Sequence, residues 1–264
     1  MTLSTFQKAL LIVAGGVGAL TSFAAPAWTL TQEEIVTQLR PVPVFTITDG
    51  NGAPLVSEQP GNEDAAPIAR VFITEADAQQ FLGSIQENNP ELGADVRITP
   101  VPLSSIYTTA VNTQEGENEL DFVFIPSQAE AESAVEILKD DLEAQGEDPS
   151  AITDFRGVPL FTARSSTADD NQGYLTIQVN DQQIVPLFFS YAELQALISN
   201  IGEGQPDFAA GLDPYVIRLE ELIDTLESTE DQTLLRLQLI PSEAAIQAAQ
   251  EAAQDVQDAQ GEAE

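Results

Sequence analysis

The chain has 264 residues, with 43 Asp and Glu against 9 Lys and Arg, a formal net charge of −34, and neither His nor Cys. Those counts leave no imidazole base, thiolate nucleophile, disulfide, c-type haem or ordinary zinc site. The acidic excess repels phosphate backbones and anionic lipid, which argues against nucleic acid as a partner. At 43% apolar residues with 16 Gly and 16 Pro, the composition is that of a folded chain long enough for one large domain or two small ones.

Residues 1–27 read as a secretory signal peptide. Lys8 supplies the positive start, Ala9 to Leu20 is an apolar run, and Ala25-Pro26-Ala27 is a small-residue cleavage pattern ahead of Trp28. The run is glycine-broken and shorter than the roughly 20 apolar residues a membrane anchor needs, so export is expected, with no integral membrane span after leader removal. Losing Lys8 with the leader leaves 8 basic and 43 acidic residues, a net charge of −35. Absence of Cys is compatible with an oxidising compartment. Within the N-terminal segment 28–40, Thr31 to Leu39 is a helix candidate.

Self-comparison reveals a duplicated chain. Val42-Pro43-Val44-Phe45-Thr46 recurs as Val158-Pro159-Leu160-Phe161-Thr162, a displacement of 116 residues. The same displacement lays VFITEADAQQFLGSI, from Val71, on LFFSYAELQALISNI, from Leu187. Pro90 then meets Pro206, Leu103 meets Leu219, and Ile125-Pro126-Ser127 meets Ile240-Pro241-Ser242 at 115, one residue lost. The expected organisation is repeat one at 41–140, a connector at 141–156, repeat two at 157–250 and an acidic, Ala/Gln-rich tail at 251–264.

Each copy runs in the same order. A strand (PVFTI or PLFTA) is followed by a turn, Asp49-Gly50-Asn51-Gly52 or Asp169-Asp170-Asn171-Gln172-Gly173, and then by a second strand candidate. ARVFIT and IVPLFFS are strands feeding helices. Thr74-x-x-Asp77 and Ser190-x-x-Glu193 have the form of capping boxes, and Ser127-x-x-Glu130 repeats it at the last helix of the first copy. Ala78, Phe81, Leu82 and Ile85 share one helical face, as do Leu194, Leu197, Ile198 and Ile201. Another strand (Val96 and Ile98 to Leu103; Tyr215 to Leu219), a short helix, a last strand ending in Ile-Pro-Ser and a final helix complete each copy. The fold class is therefore α/β (α+β): two pseudo-symmetric repeats, each a small mixed sheet with flanking helices. The segment after Gln247 has little apolar content and should be a frayed or loosely packed helix end.

The menu for catalysis is thin. Lys139 is the one lysine outside the leader, and it precedes Asp140-Asp141 at a helix end, where local pairing is expected. No glycine-rich nucleotide cradle is present. Asp121, Glu220 and Glu221 lie beside apolar positions, but with 43 acids a chance glycosidase-like spacing carries little weight, and the solvated-face reading is the default. The two Asp/Asn-rich loops concentrate oxygen ligands for calcium yet lack the spacing of a calcium loop, and the same residues serve tight turns. The expectation is no catalytic residue, no metal and no cofactor. What remains is apolar: Phe45, Phe72, Phe161, Phe188, Phe189 and Tyr107, several at repeat-related places, are the candidates for a hydrophobic client-binding groove beside the two halves, against a core reading for each.

The strings PVPVFTITDGNGAPL, VFITEADAQQFL, ITPVPLSSIY, FVFIPS, GVPLFTA, VPLFFSYAELQALI and IRLEELI together resemble the twenty-two-kilodalton Tic family. Its members are the chloroplast protein-import component of the intermembrane space and its cyanobacterial homologues. The resemblance runs from Val42 to Ser242, and VPLFFSYAELQAL is its most specific piece. It implies two related lobes and a protein of the cyanobacterial periplasm, with the thylakoid lumen as the alternative. It further implies a chaperone-like, ATP-independent protein-transport role, binding unfolded or precursor proteins in outer-membrane biogenesis or protein import. Outer-membrane assembly or translocon components are the further partners it suggests. No enzyme activity is implied. A scaffold in an envelope translocation complex and a carboxylate-dependent envelope hydrolase are the alternatives.

Overall fold

A computed structural model of the chain describes residues 30–58, 65–114, 120–165 and 173–261. The leader and all but Gly173 of the second Asp/Asn-rich loop lie outside the described residues. Helix α1 (Gln32–Leu39) opens the described chain on a full capping box: Glu34 N donates to Thr31 Oγ1 at 3.3 Å and Thr31 N to Glu34 Oε2 at 2.8 Å.

The first half then runs β1 (Pro43–Asp49), β2 (Val56–Ser57), β3 (Ile68–Phe72), α2 (Glu75–Asn88), α3 (Pro90–Asp95), β4 (Val96–Pro102), α4 (Leu103–Gln114), β5 (Asp121–Ile125) and α5 (Gln128–Ala144). The second runs β6 (Pro159–Ser165), β7 (Ile177–Val179), β8 (Gln182–Phe188), α6 (Tyr191–Gly204), α7 (Pro206–Ala209), β9 (Leu212–Arg218), α8 (Leu219–Ser228), β10 (Leu237–Ile240) and α9 (Glu243–Gly261). The order is the same element for element. The short helices α3 and α7 are additions to the sequence reading. Each begins with a proline at its first position, Pro90 and Pro206, where the missing N–H costs nothing. Helix α5 continues to Ala144, so the irregular connector is shorter than the composition suggested.

Pairing repeats as closely as order does. In the first sheet β1 is antiparallel to β3 and β4, β2 is antiparallel to β3, and β3 is parallel to β5. In the second, β6 is antiparallel to β8 and β9, β7 is antiparallel to β8, and β8 is parallel to β10. Register is held too: Phe45 faces Phe72 and Phe161 faces Phe188, while Val44 faces Val101 and Leu160 faces Ile217. Even the turn into the fourth helix is copied, with Leu103 N donating to Val42 O at 2.8 Å and Leu219 N to Val158 O at 2.9 Å. The hairpin β7–β8 turns on Asn180 and Asp181, whose φ values of 48° and 65° suit a two-residue primed turn that Asn and Asp tolerate.

Strand alternation gives each sheet two apolar faces. On the inner faces Val44, Val71, Leu160, Leu187 and Leu239 join residues of α1, α4 and α8 in one continuous cluster. The halves thus share a core. On the outer faces Phe45, Ile47 and Phe72 form one cluster, and Phe161, Ala163 and Phe188 another. Each is covered by a helix of its own half, α2 or α6, and by a second helix that is exchanged. Helix α5, the last of the first half, packs on β6 and β9 of the second sheet through Ala134, Ile137 and Leu138. Helix α9, the last of the second half, packs on β1 and β4 of the first sheet through Ala245 and Ala248.

One repeat-related pair departs from symmetry. Thr46 Oγ1 donates to Arg70 O at 3.2 Å, whereas the Oγ1 of Thr162, 1% exposed, is a buried oxygen without a partner among the described residues. An unmet buried hydroxyl is destabilising, and valine has the same shape without it. Thr162→Val is therefore expected to raise stability by about 1 kcal/mol and Thr46→Val to lower it by about 1 kcal/mol, read from paired urea unfolding curves.

Candidate functional site

The six aromatic positions proposed for a client groove are all buried. Phe45, Phe72, Phe161, Phe188 and Phe189 are between 0% and 5% exposed and Tyr107 is 8% exposed. Phe45 and Phe72 lie in the outer core of the first sheet, Phe161 and Phe188 in that of the second, and Phe189 and Tyr107 in the shared centre. Repeat-related phenyl groups mark the core here and not a surface groove, because strand alternation buries both faces of each sheet. The Tyr107 hydroxyl is pushed up to about 12, first by burial and then by its hydrogen bond to the Glu227 carboxylate.

A pocket of about 220 Å³ does open where the halves meet, at the starts of α2, α5, α6 and α9. Its walls include Thr74, Ser127, Glu130, Ser190, Glu193 and Ser242, over apolar groups such as Val158 and Phe189. The spacing in the sequence predicts that Thr74, Ser127 and Ser190 each cap their own helix with a carboxylate in support. Thr74 does so, taking Asp77 N at 3.2 Å and bonding the Asp77 carboxylate. Ser127 and Ser190 do not. Their partner acids reach between elements instead: Tyr191 N donates to Glu130 Oε2 at 2.8 Å, and Glu243 N donates to Glu193 Oε1 at 2.8 Å. Glu130 thereby ties α5 to α6, and Glu193 ties α6 to α9.

Burial raises the carboxyl of Glu193 above its ordinary value, against the lowering by the Glu243 N–H, with the charges of Glu243 and Glu130 adding to the rise. A raised acid stabilises the fold when protonated, and that contribution is lost as pH climbs from about 4.5 through the raised value. Glutamine keeps the acceptor without the charge. Glu193→Gln is accordingly expected to match the unsubstituted chain near pH 4 and to exceed it in stability at pH 7, measured as the difference between their unfolding curves at each pH. A difference that shrinks with rising pH would contradict this.

The outer strand of the first sheet presents a different surface. Among the described residues strand β5 pairs with β3 alone, and Asp121 N donates to Pro67 O at 2.9 Å while Ile73 N donates to Ile125 O at 3.2 Å. Alternation then turns the backbone groups of Phe122 and Phe124 away from β3. Among the described residues no strand lies on that side, and Val123 is 40% exposed. The corresponding edge of β10 is met by α1, where Gln38 Nε2 donates to Leu234 O at 3.1 Å and Leu237 O at 3.4 Å. Beside the β7–β8 hairpin an open cleft of about 710 Å³ is lined mostly by polar groups, Gln178, Gln182, Gln183 and Arg236 among them.

The acids singled out for chemistry are dispersed. Asp121 is exposed at the start of β5. Glu220 accepts from Val158 N at 3.2 and 3.1 Å, packed so closely over Gly157, φ 95°, that a Cβ there would stand 2.5 Å from Glu220 Oε2. Glu221 pairs with Arg218 at 3.3 Å. Asp49 Oδ1 accepts from Asn51 N at 2.8 Å and Ala53 N at 2.9 Å, the hydrogen bonding of a turn. Among the described residues no group of three or more acids is placed to hold a metal ion, and no helix is long and apolar enough to cross a membrane.

Comparison with known proteins places this architecture. No curated protein matches the chain. A solved structure of Anabaena Tic22, described as protein transport, superposes with a TM-score of 0.70 at 26% identity over 84% of this chain and 97% of that one. Tic22 from Plasmodium falciparum shares the fold, with a TM-score of 0.61 at 20% identity over 83% and 97% of the two chains. Residues 6–257 match the Tic22-like family, and the chain belongs to that family.

Proposed function

We propose that this protein is an ATP-independent, non-enzymatic protein-transport factor of the cell envelope that holds unfolded or precursor polypeptides in transit. Its place is the periplasm, with the thylakoid lumen as the alternative, and its downstream partners are outer-membrane assembly or import components. The observation that carries this reading is the 26% identity, across 84% of this chain and 97% of the other, to Anabaena Tic22, a protein described as protein transport. The open edge of β5 supports it: outward backbone groups at Phe122 and Phe124 beside exposed Val123 offer an extended segment a strand to pair with. A net charge of −34 keeps the holder dispersed and favours clients with basic segments.

Glu130 and Glu193 in one pocket are the observation on which a carboxylate-dependent hydrolase reading stands. Both already accept helix-start N–H groups, an arrangement that serves to join elements, and holding is preferred. The test is crosslinking in the native compartment with a photoreactive group at Val123. Many precursor proteins captured would support holding, and a single stoichiometric band would favour a scaffold instead.

A further inference from the structure

Helices α5 and α9 occupy equivalent places on the two sheets, yet they are held very differently. Helix α5 inserts Ile137, 6% exposed, and Leu138 into the outer core of the second sheet. It is also fastened to β6 by a two-pronged ion pair, Arg164 Nη2 to Asp141 Oδ1 at 2.6 Å and Oδ2 at 2.8 Å, with the side chains 23% and 25% exposed. Among the described residues, helix α9 has neither device. It touches the first sheet's outer core with Ala245 and Ala248, while its larger apolar side chains Ile246 and Val256 are 38% and 57% exposed. The positions matching Arg164 and Asp141 are Thr48, whose hydroxyl bonds Thr99 Oγ1 at 2.7 Å, and solvent-exposed Val256.

The firm attachment of α9 is at its start. Glu243 N donates to Glu193 Oε1 at 2.8 Å, tying α9 to α6, and Ala245 N donates to Ser242 Oγ at 3.2 Å, capping the helix itself. From Ala253 to Asp258 every residue is exposed. Ala245 and Ala248 share a cluster with Phe45, Ile47 and Ile98 of β1 and β4, the strands on which α9 packs, an apolar face that would invite self-association if left bare. A helix tied at its start, whose contribution to the apolar cluster is alanine, opens at little cost relative to the rest of the fold.

We propose that α9 is a displaceable cover, and that the outer face of the first sheet beneath it is a binding site for an apolar-faced client helix. This rests on the polypeptide-holding reading and gives it a second, helix-accepting site apart from the β5 edge. The occupant is specified by what is there now: the face over β1 and β4 already seats a helix. A client helix presenting leucines buries more apolar surface on it than alanines do. Given the net charge of −34, the client's polar face is basic. The swing takes place about Ser242 and Glu243.

Hydrogen exchange on the full chain tests this, with a leucine–lysine amphipathic peptide as the probe. Without the probe, α9 amides are expected to exchange about tenfold faster than those of α5. A stoichiometric amount of the probe should expose α9 further while the amides of β1 and β4 stay protected. Ala248→Asp, which puts a charge on the covering face, should free α9 and tighten probe binding roughly fivefold by removing the competitor. Exchange of α9 as slow as that of α5, or α9 exchange unchanged by the probe, overturns the cover. So does an Ala248→Asp chain with α9 released and no gain in binding. Should that variant not fold, the exchange of the unsubstituted chain still decides. Aggregation suppressed with α9 unmoved would overturn the cover and leave holding intact, whereas failure of holding appears as no suppression at all.

Discussion

Phe161→Ala is expected to lower the unfolding free energy by about 3–5 kcal/mol, the range for removing a fully buried phenyl group. The ring is 0% exposed, faces Phe188 across the ladder and lies 5.3 Å from the ring of Tyr191. Above it α5 is fixed by the Arg164–Asp141 pair, so the layer has little freedom to settle into the cavity. Phe45 is its repeat equivalent and 1% exposed, but the exchanged helix packed on its strand is α9, which contributes only alanines to that cluster. A loosely held cover can collapse inward, and the cost of a cavity falls as the site relaxes. Phe45→Ala is therefore expected toward the lower end of the same range, at about 3 kcal/mol. Urea unfolding followed by far-ultraviolet circular dichroism measures both. A loss under about 1 kcal/mol for Phe161→Ala would mean that the outer cores contribute little to the stability of the fold.

A larger effect is expected from dividing the chain. Fragments 30–156 and 157–261 each contain a whole repeat by sequence, yet each carries the other's covering helix. The first retains α5, whose apolar face belongs on β6 and β9, and lacks α9. The second has the reverse defect. The shared inner core, with Val44 and Val71 from one half and Leu160 and Leu187 from the other, is opened as well. Neither fragment alone should show a cooperative unfolding transition, and mixing the two should restore one. Independent cooperative folding of either fragment would contradict the exchange of helices.

Much of this architecture is legible in the sequence because the repeat is. The displacement of 116 that aligns Val42-Pro43-Val44-Phe45 with Val158-Pro159-Leu160-Phe161 also relates the strand registers, Phe45 with Phe72 and Phe161 with Phe188. What is not legible is which partner a group finds when two are available. Ser190-x-x-Glu193 has the spacing of a local capping box, but Glu193 has a second backbone donor, Glu243 N, brought near by the fold. Glu130 likewise meets Tyr191 N, 61 residues away. Local spacing carries no information about a donor so distant in sequence. The exchanged helices escape notice for the same reason, since an apolar helical face does not say which of two similar sheets it will cover. The six aromatic positions are all buried, which favours for each the core reading over the groove reading. Repetition signals structural equivalence, and in a sheet with two buried faces equivalent phenyl groups are core. The alanine-rich composition after Pro241 is the sequence feature that sets α9 apart from α5.

The proposed polypeptide holding rests on family membership, on an edge of β5 that no strand covers among the described residues, and on the apolar face proposed to lie under a displaceable α9. None of them involves a nucleotide. The most direct measurement is light scattering from reduced insulin as its B chain aggregates, with and without a stoichiometric amount of this protein and with no ATP present. Suppressed scattering, unchanged when ATP is added, is the expected result. Equal scattering in the presence and absence of the protein would contradict holding.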